Sequence, residues 1–114
     1  MILTTIRVDV DVQNDSLIAN KIGWKSGCWH ITKVLELSEK YNIKIVWSLR
    51  SNVLPDRVLI GMMKDQKHEV LLHANTVLPE NLIKEKETLE KHIEMKVRGS
   101  TYHSARLRKE RELA

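Results

Sequence analysis

Two aspartates stand one residue apart in Ile6-Arg7-Val8-Asp9-Val10-Asp11-Val12, and the residues between and around them are almost all β-branched. Side chains alternate along a strand, so Asp9 and Asp11 share a face, and Arg7 shares it with them. Burying one ionised carboxylate is costly, and burying two together is worse unless a cation or a shared proton offsets them. In α/β proteins the carboxyl end of a strand is where ligands bind. The pair is therefore expected to hold or serve a metal ion. The plain alternative is that both aspartates lie just past the strand, solvated in the turn opened by Gln13-Asn14-Asp15-Ser16. Two histidines could join them: His73, at the end of the apolar run Val70-Leu71-Leu72, and His103, after Gly99-Ser100-Thr101-Tyr102.

The elements that must position these residues alternate in type. Residues 2–12 read as a buried first strand. Residues 13–28 show no clear periodicity and read as a long connection, a lid or binding loop. Trp24 and Trp29 flank its end, either as a pocket roof or as pins onto the next helix. Residues 29–41 place Ile31, Val34, Leu35 and Tyr41 near a 3.6 period, and Asn42 suits the left-handed position that ends a helix. Residues 43–49 read as a second strand. Pro55 and Asp56 suit a helix start, with Val58, Leu59, Met62 and Met63 as its apolar face. Residues 69–72 form a third strand that delivers His73, and Pro79-Glu80 opens a third helix with Leu82, Ile83, Leu89 and Ile93 on one side. A short fourth strand is expected over 95–98. Helix and strand in alternation, with no hairpin signal, predict βαβ units, an α/β class and a partial (β/α) barrel of about four parallel strands. Right-handed crossovers then bring Asp9, Asp11, His73 and His103 to one rim. His30, His68 and His92 read as surface residues.

Composition narrows the class. The 114 residues allow one domain, with a charged tail over about 104–114. A hydrophobic fraction of 42% against 30% charged is ordinary for a globular chain. No apolar run approaches the length of a membrane span, and because the first residues read as a strand no secretory leader is expected. The lone Cys28 excludes an internal disulfide framework, and a cytoplasmic location is expected. The net charge of +4 rests largely on tail residues Arg106, Arg108, Lys109 and Arg111, without interleaved aromatics, so nucleic acid is not the expected partner.

With these segments in order, the chain resembles the polysaccharide deacetylases of the NodB-homology class. Arg7-Val8-Asp9-Val10-Asp11 is similar to that family's strand-end aspartate motif in an Asp-x-Asp form. Residues 32–47 resemble its helix followed by an apolar strand, and His68-Glu69-Val70-Leu71-Leu72-His73 resembles its His-Glu-Val-Gly-x-His segment. Glu85-Lys86-Glu87-Thr88-Leu89-Glu90 and Arg98-Gly99-Ser100-Thr101-Tyr102-His103 look like the helix and Arg-Gly-x-x-x-His ending of one branch. The resemblance covers the N-terminal half of a domain whose barrel takes about 200 residues or more.

The resemblance implies a metal-dependent hydrolase of amide (N-acetyl) bonds in carbohydrates. Asp9 would take a proton from water and Arg7 would orient it. Asp11 and His73 would ligate a divalent metal, zinc by preference, and His103 would fill the place that the family's second histidine leaves at Val77. An N-acetylated carbohydrate is the implied substrate, and activity in the chain alone is expected to be weak or absent. Two other readings stand beside this one: a silent metal- or sugar-binding relative, and a small assembly protein that keeps only the sheet. His73 has its own plain alternative as a neutral core histidine. The apolar strands at open sheet edges predict a homodimer or higher oligomer.

Overall fold

Alternate residues of the middle strands are buried and apolar, and this alternation organises the molecule. The computed structural model describes residues 5–10 and 28–102 in full and residues 17–27 as backbone. Its elements are β1 (Ile6–Val10), α1 (Leu17–Lys40), β2 (Ile45–Leu49), α2 (Arg57–Asp65), β3 (Glu69–Ala74), α3 (Pro79–Ile93) and β4 (Ser100–Tyr102). The four strands are all parallel and lie side by side in chain order, β1-β2-β3-β4. The architecture is thus α/β, a curled half-barrel with its helices outside. No helix among the described residues is long and apolar enough to cross a membrane.

Val10, Ile45, Trp47, Leu49, Val70, Leu72 and Ala74 make up the helix-facing side of the sheet. They form one core with Ile31 and Leu35 of α1, Leu59, Ile60 and Met63 of α2, and Leu89 and Ile93 of α3. Cys28 packs on its edge as a free thiol, pushed up from its ordinary pKa by burial and then by the Asp56 charge. Such a thiol is a packing residue rather than a nucleophile.

Local chemistry sets the helix ends. Asp56 caps α2 by accepting a hydrogen bond from the Leu59 amide at 3.0 Å. Asn42 takes φ 52° after α1, as expected, and Lys67 takes φ 58° after α2. At each, the next amide reaches back five residues, Ile43 N to Ser38 O at 2.8 Å and His68 N to Met63 O at 2.9 Å. Both are Schellman closures, which satisfy the last carbonyls and turn the chain directly into β2 and β3.

Several expectations are corrected. The connection expected over 13–28 is helical from Leu17 onward. Gly23 and Gly27 each cost about 1 kcal/mol against alanine, which weakens a helix without ending one that continues into a packed segment. The fourth strand lies at Ser100–Tyr102 rather than over 95–98. The Val97 amide is held by the Glu90 carboxylate at 2.9 Å, so pairing with β3 begins only where Leu72 N meets Gly99 O at 3.1 Å. The same bond, with Lys86 beside it, holds the Glu90 carboxyl below its ordinary pKa. β1 is an exposed edge strand among the described residues, with Ile6 41% exposed, rather than a buried one. Val58 and Ile83 face solvent, and Ile60 takes the core place expected of Val58.

His68 is the clearest correction among the histidines, because it is buried. Its Nδ1 accepts a hydrogen bond from the Trp47 indole N–H at 2.6 Å, and the two rings stack. His30 is exposed, and half-buried His92 has its Nε2 3.1 Å from the Pro55 carbonyl. Burial lowers the His68 pKa first and the Lys44 charge lowers it further, with the Ile43 backbone offsetting part of the shift. A folded value below the unfolded one of about 6.5 means that stability is fully present above that pH. It is lost as pH falls from there through the folded value. The urea midpoint is therefore expected to fall between about pH 8 and pH 5, and His68→Gln should remove most of that fall. An equal fall in both proteins would contradict this role.

Candidate functional site

The strand alternation that fills the core also selects a second, polar face. Arg7 and Asp9 of β1, Val46 and Ser48 of β2, Glu69, Leu71 and His73 of β3, and Thr101 of β4 all carry the parity opposite to the core residues. Arg50 follows Ser48 in the same alternation and is buried. In a curled parallel sheet this face is the inner one, and its carboxyl ends are where ligands are held. Every sequence-predicted site residue within the described strands falls on it.

Arg7 and Asp9 form a two-pronged pair, with Arg7 Nε 3.1 Å from Asp9 Oδ1 and Nη2 3.3 Å from Oδ2. The side chains are 53% and 36% exposed, so the pair fixes the carboxylate's direction more than it stabilises the fold.

His73 is buried at the other end of the face. Its Nδ1 lies 2.7 Å from the Thr101 hydroxyl, which also meets the hydroxyl of fully buried Ser48. Three strands thus contribute one polar chain: Ser48 from β2, Thr101 from β4 and His73 from β3 between them. A hydrogen bond at one ring nitrogen is how proteins orient an imidazole that works through the other. A buried, hydrogen-bonded imidazole is equally what the plain reading of His73 as a core histidine expects.

The register also sets Asp9 apart from His73. Asp9 lies level with Ser48 and Leu71, while His73 stands two residues further toward the carboxyl end. With strand spacing near 4.8 Å and a rise of about 3.3 Å per residue, their Cα atoms lie roughly 12 Å apart. Among the described residues no group of three or more His, Cys, Asp or Glu is placed to share a metal ion. Asp11 and His103, the other expected ligands, lie outside the described residues.

The turn after β3 is tied down as well. The Asn75 amide and side chain both donate to the Glu85 carboxylate of α3, the latter at 2.8 Å, and Asn75 Nδ2 also donates to Asn52 Oδ1 at 3.1 Å. These bonds anchor the loop leaving β3 to α3 and to the loop leaving β2, directly beyond His73. Sequence reasoning missed Ser48, Thr101 and Arg50. Ser48 carried a usable signal, as the one polar residue in Ile45–Leu49.

No family model, curated protein or solved structure matches the chain.

The exposed Arg7–Asp9 pair generates a test of its own. Arg7→Gln is expected to change unfolding free energy by less than about 0.5 kcal/mol in chemical denaturation, as exposed pairs do. A loss above about 2 kcal/mol would show the pair to be structural instead.

Proposed function

We propose that this chain is a metal-dependent hydrolase of amide bonds in N-acetylated carbohydrates, with the half-barrel of a NodB-type deacetylase. The observation that carries the reading is the orientation of His73, held at Nδ1 by Thr101 on the polar face at the strands' carboxyl ends. The donor types fit a borderline ion such as zinc: a buried, oriented imidazole with carboxylates on β1 and just after it. Asp11 and His73, with His103, would hold it. When bound, the ion supplies an acidified water and polarises the scissile carbonyl.

The chain's own residues do the rest. Asp9, aimed by Arg7, is the base that takes the proton of the attacking water. Its place one layer below His73 suits a group that serves the reacting water rather than a ligand. Buried Arg50, with the same parity as Ser48, adds positive charge to the polar face where negative charge develops on the amide oxygen.

Protein purified without chelator is expected to bind about one zinc per chain, and Asp11→Ala or His73→Ala to lose it. Stoichiometric zinc in both variants would sink the ligand assignment. Asp9→Asn should keep the zinc while cutting acetate release from N-acetylated oligosaccharides by about 10²–10⁴-fold. Acetate release by this half-barrel alone is expected to be weak, and tight zinc binding with no release at all would identify a silent metal-binding relative instead.

A further inference from the structure

The sheet stops at an open edge on both sides, and its register tells how far it is from closing. Among the described residues no strand pairs with the outer edge of β1 or of β4. Val10 pairs with Leu49, Leu49 with Leu72 and Leu72 with Ser100, so the last residue of β1 stands level with the first of β4. Along the same ladders Val8, the middle of β1, is level with Arg98, and the middle of β4, Thr101, lies three residues further on. Three strand-to-strand steps thus advance the sheet by three residues. An eight-stranded (β/α) barrel closes with a shear of about 8, which is about one residue per step. Four strands at that stagger are half of such a barrel. What they lack is four more strands with the same two edges.

A second copy of the chain supplies them. Turned about a two-fold axis along the barrel, it keeps every strand parallel and offers its β1 to the free edge of β4. One more step of the same stagger sets the register. Ser100 falls opposite the partner's Ile6, Thr101 opposite the partner's Arg7 and Tyr102 opposite the partner's Val8. Inward and outward alternation agrees at each pair, because Arg7 and Thr101 belong to the polar inner face and the other four residues to the helix side. The surface left uncovered at the two edges is apolar. Ile6 and Tyr102 are each 41% exposed. Beside β4, Leu72, Leu82 and Val97 line an open cavity of about 210 Å³, and beside β1, Val8, Ile31 and Val34 line another of about 130 Å³. The new ladder brings these two cavities together, and the partner's Arg7 arrives already paired with the partner's Asp9.

We infer that two copies of this chain close one eight-stranded parallel barrel, with β4 of each pairing with β1 of the other. The interface is isologous and occurs twice, and no strand edge remains to recruit a further chain. Pairing β1 with β1, or β4 with β4, would run antiparallel and leave two edges open. Each polar inner face, with His73 beside Thr101, is then walled by β1 of the other chain. The dimer deepens the reading of that face as a site, but its geometry does not depend on a metal.

Light scattering or sedimentation of the wild-type chain at micromolar concentration should give twice the 13.3 kDa of one chain. The mass of a single chain, or an assembly larger than two, overturns closure. In a Cys28→Ala background, Ile6→Cys and Ser100→Cys are then unfolded, mixed, refolded and oxidised. The mixture should form a disulfide-linked pair, since facing residues on neighbouring strands lie within disulfide reach, while each variant alone should not. Linkage within either variant alone, with none in the mixture, overturns the β1–β4 pairing. Tyr102→Lys, at an exposed position in the single chain, should leave the circular dichroism spectrum unchanged and raise the dissociation constant about tenfold or more, as loss of a buried interface aromatic does. An unchanged dissociation constant contradicts the register. All three measurements are made with chelator present, so a chain that binds no zinc fails the metal reading and leaves the dimer to be judged by itself.

Discussion

Burial of one side of a parallel sheet is the constraint on which the rest of this structure depends. Trp47 and Leu49 of β2 and Val70 and Leu72 of β3 face the helices, whose apolar side chains cover them among the described residues. Side chains on a strand alternate with period two, so a slip of one residue would turn that whole set outward. The same rule leaves no choice for their neighbours. Ser48 and His73 are sent to the inner face by the burial of Trp47 and Leu72, not by any attraction between themselves. The polar chain that they form with Thr101 is a consequence of hydrophobic register.

Helix-to-strand connections protect that register. The closures at Asn42 and Lys67 spend the last helical carbonyls on the amides that begin the next segment, so β2 and β3 start at fixed points. Trp47 and His68 then lock the start of β3 to β2 through the indole hydrogen bond. At the other end, Asn75 and Glu85 fix the departure from β3, and Glu90 holds Val97 so that β4 cannot pair early. Thr101 reaches His73 only because that last restraint delays pairing to Ser100. A strand at 95–98, as periodicity alone suggested, would have put different side chains beside the ring.

The parts legible in the sequence were those governed by local pattern. Parallel βαβ alternation followed from the spacing of apolar runs, and the Asp56 cap and Asn42 terminus followed from residue type. The face shared by Arg7 and Asp9 followed from counting by two. What was not legible depended on contacts distant in sequence. His68 looked like a surface residue because its partner, Trp47, lies on another strand. The long α1 was hidden by two glycines whose local preference was overruled. The Ser48–Thr101 contact spans 53 residues and follows only once both β2–β3 and β3–β4 registers are known. Asp11 and His103, read from the sequence as ligands, lie outside the described residues, so their part in the site rests on the motif alone.

The central claim is that hydrophobic register delivers an oriented His73 imidazole to a metal on the inner face. A crystal of the zinc-soaked protein, with anomalous difference maps collected across the zinc edge, tests it most directly. The account predicts one strong peak about 2.0–2.1 Å from a His73 ring nitrogen, on the face that carries Ser48 and Thr101. A peak only at exposed His30 or at His92, or a His73 ring turned away from Thr101 toward the core, would contradict it.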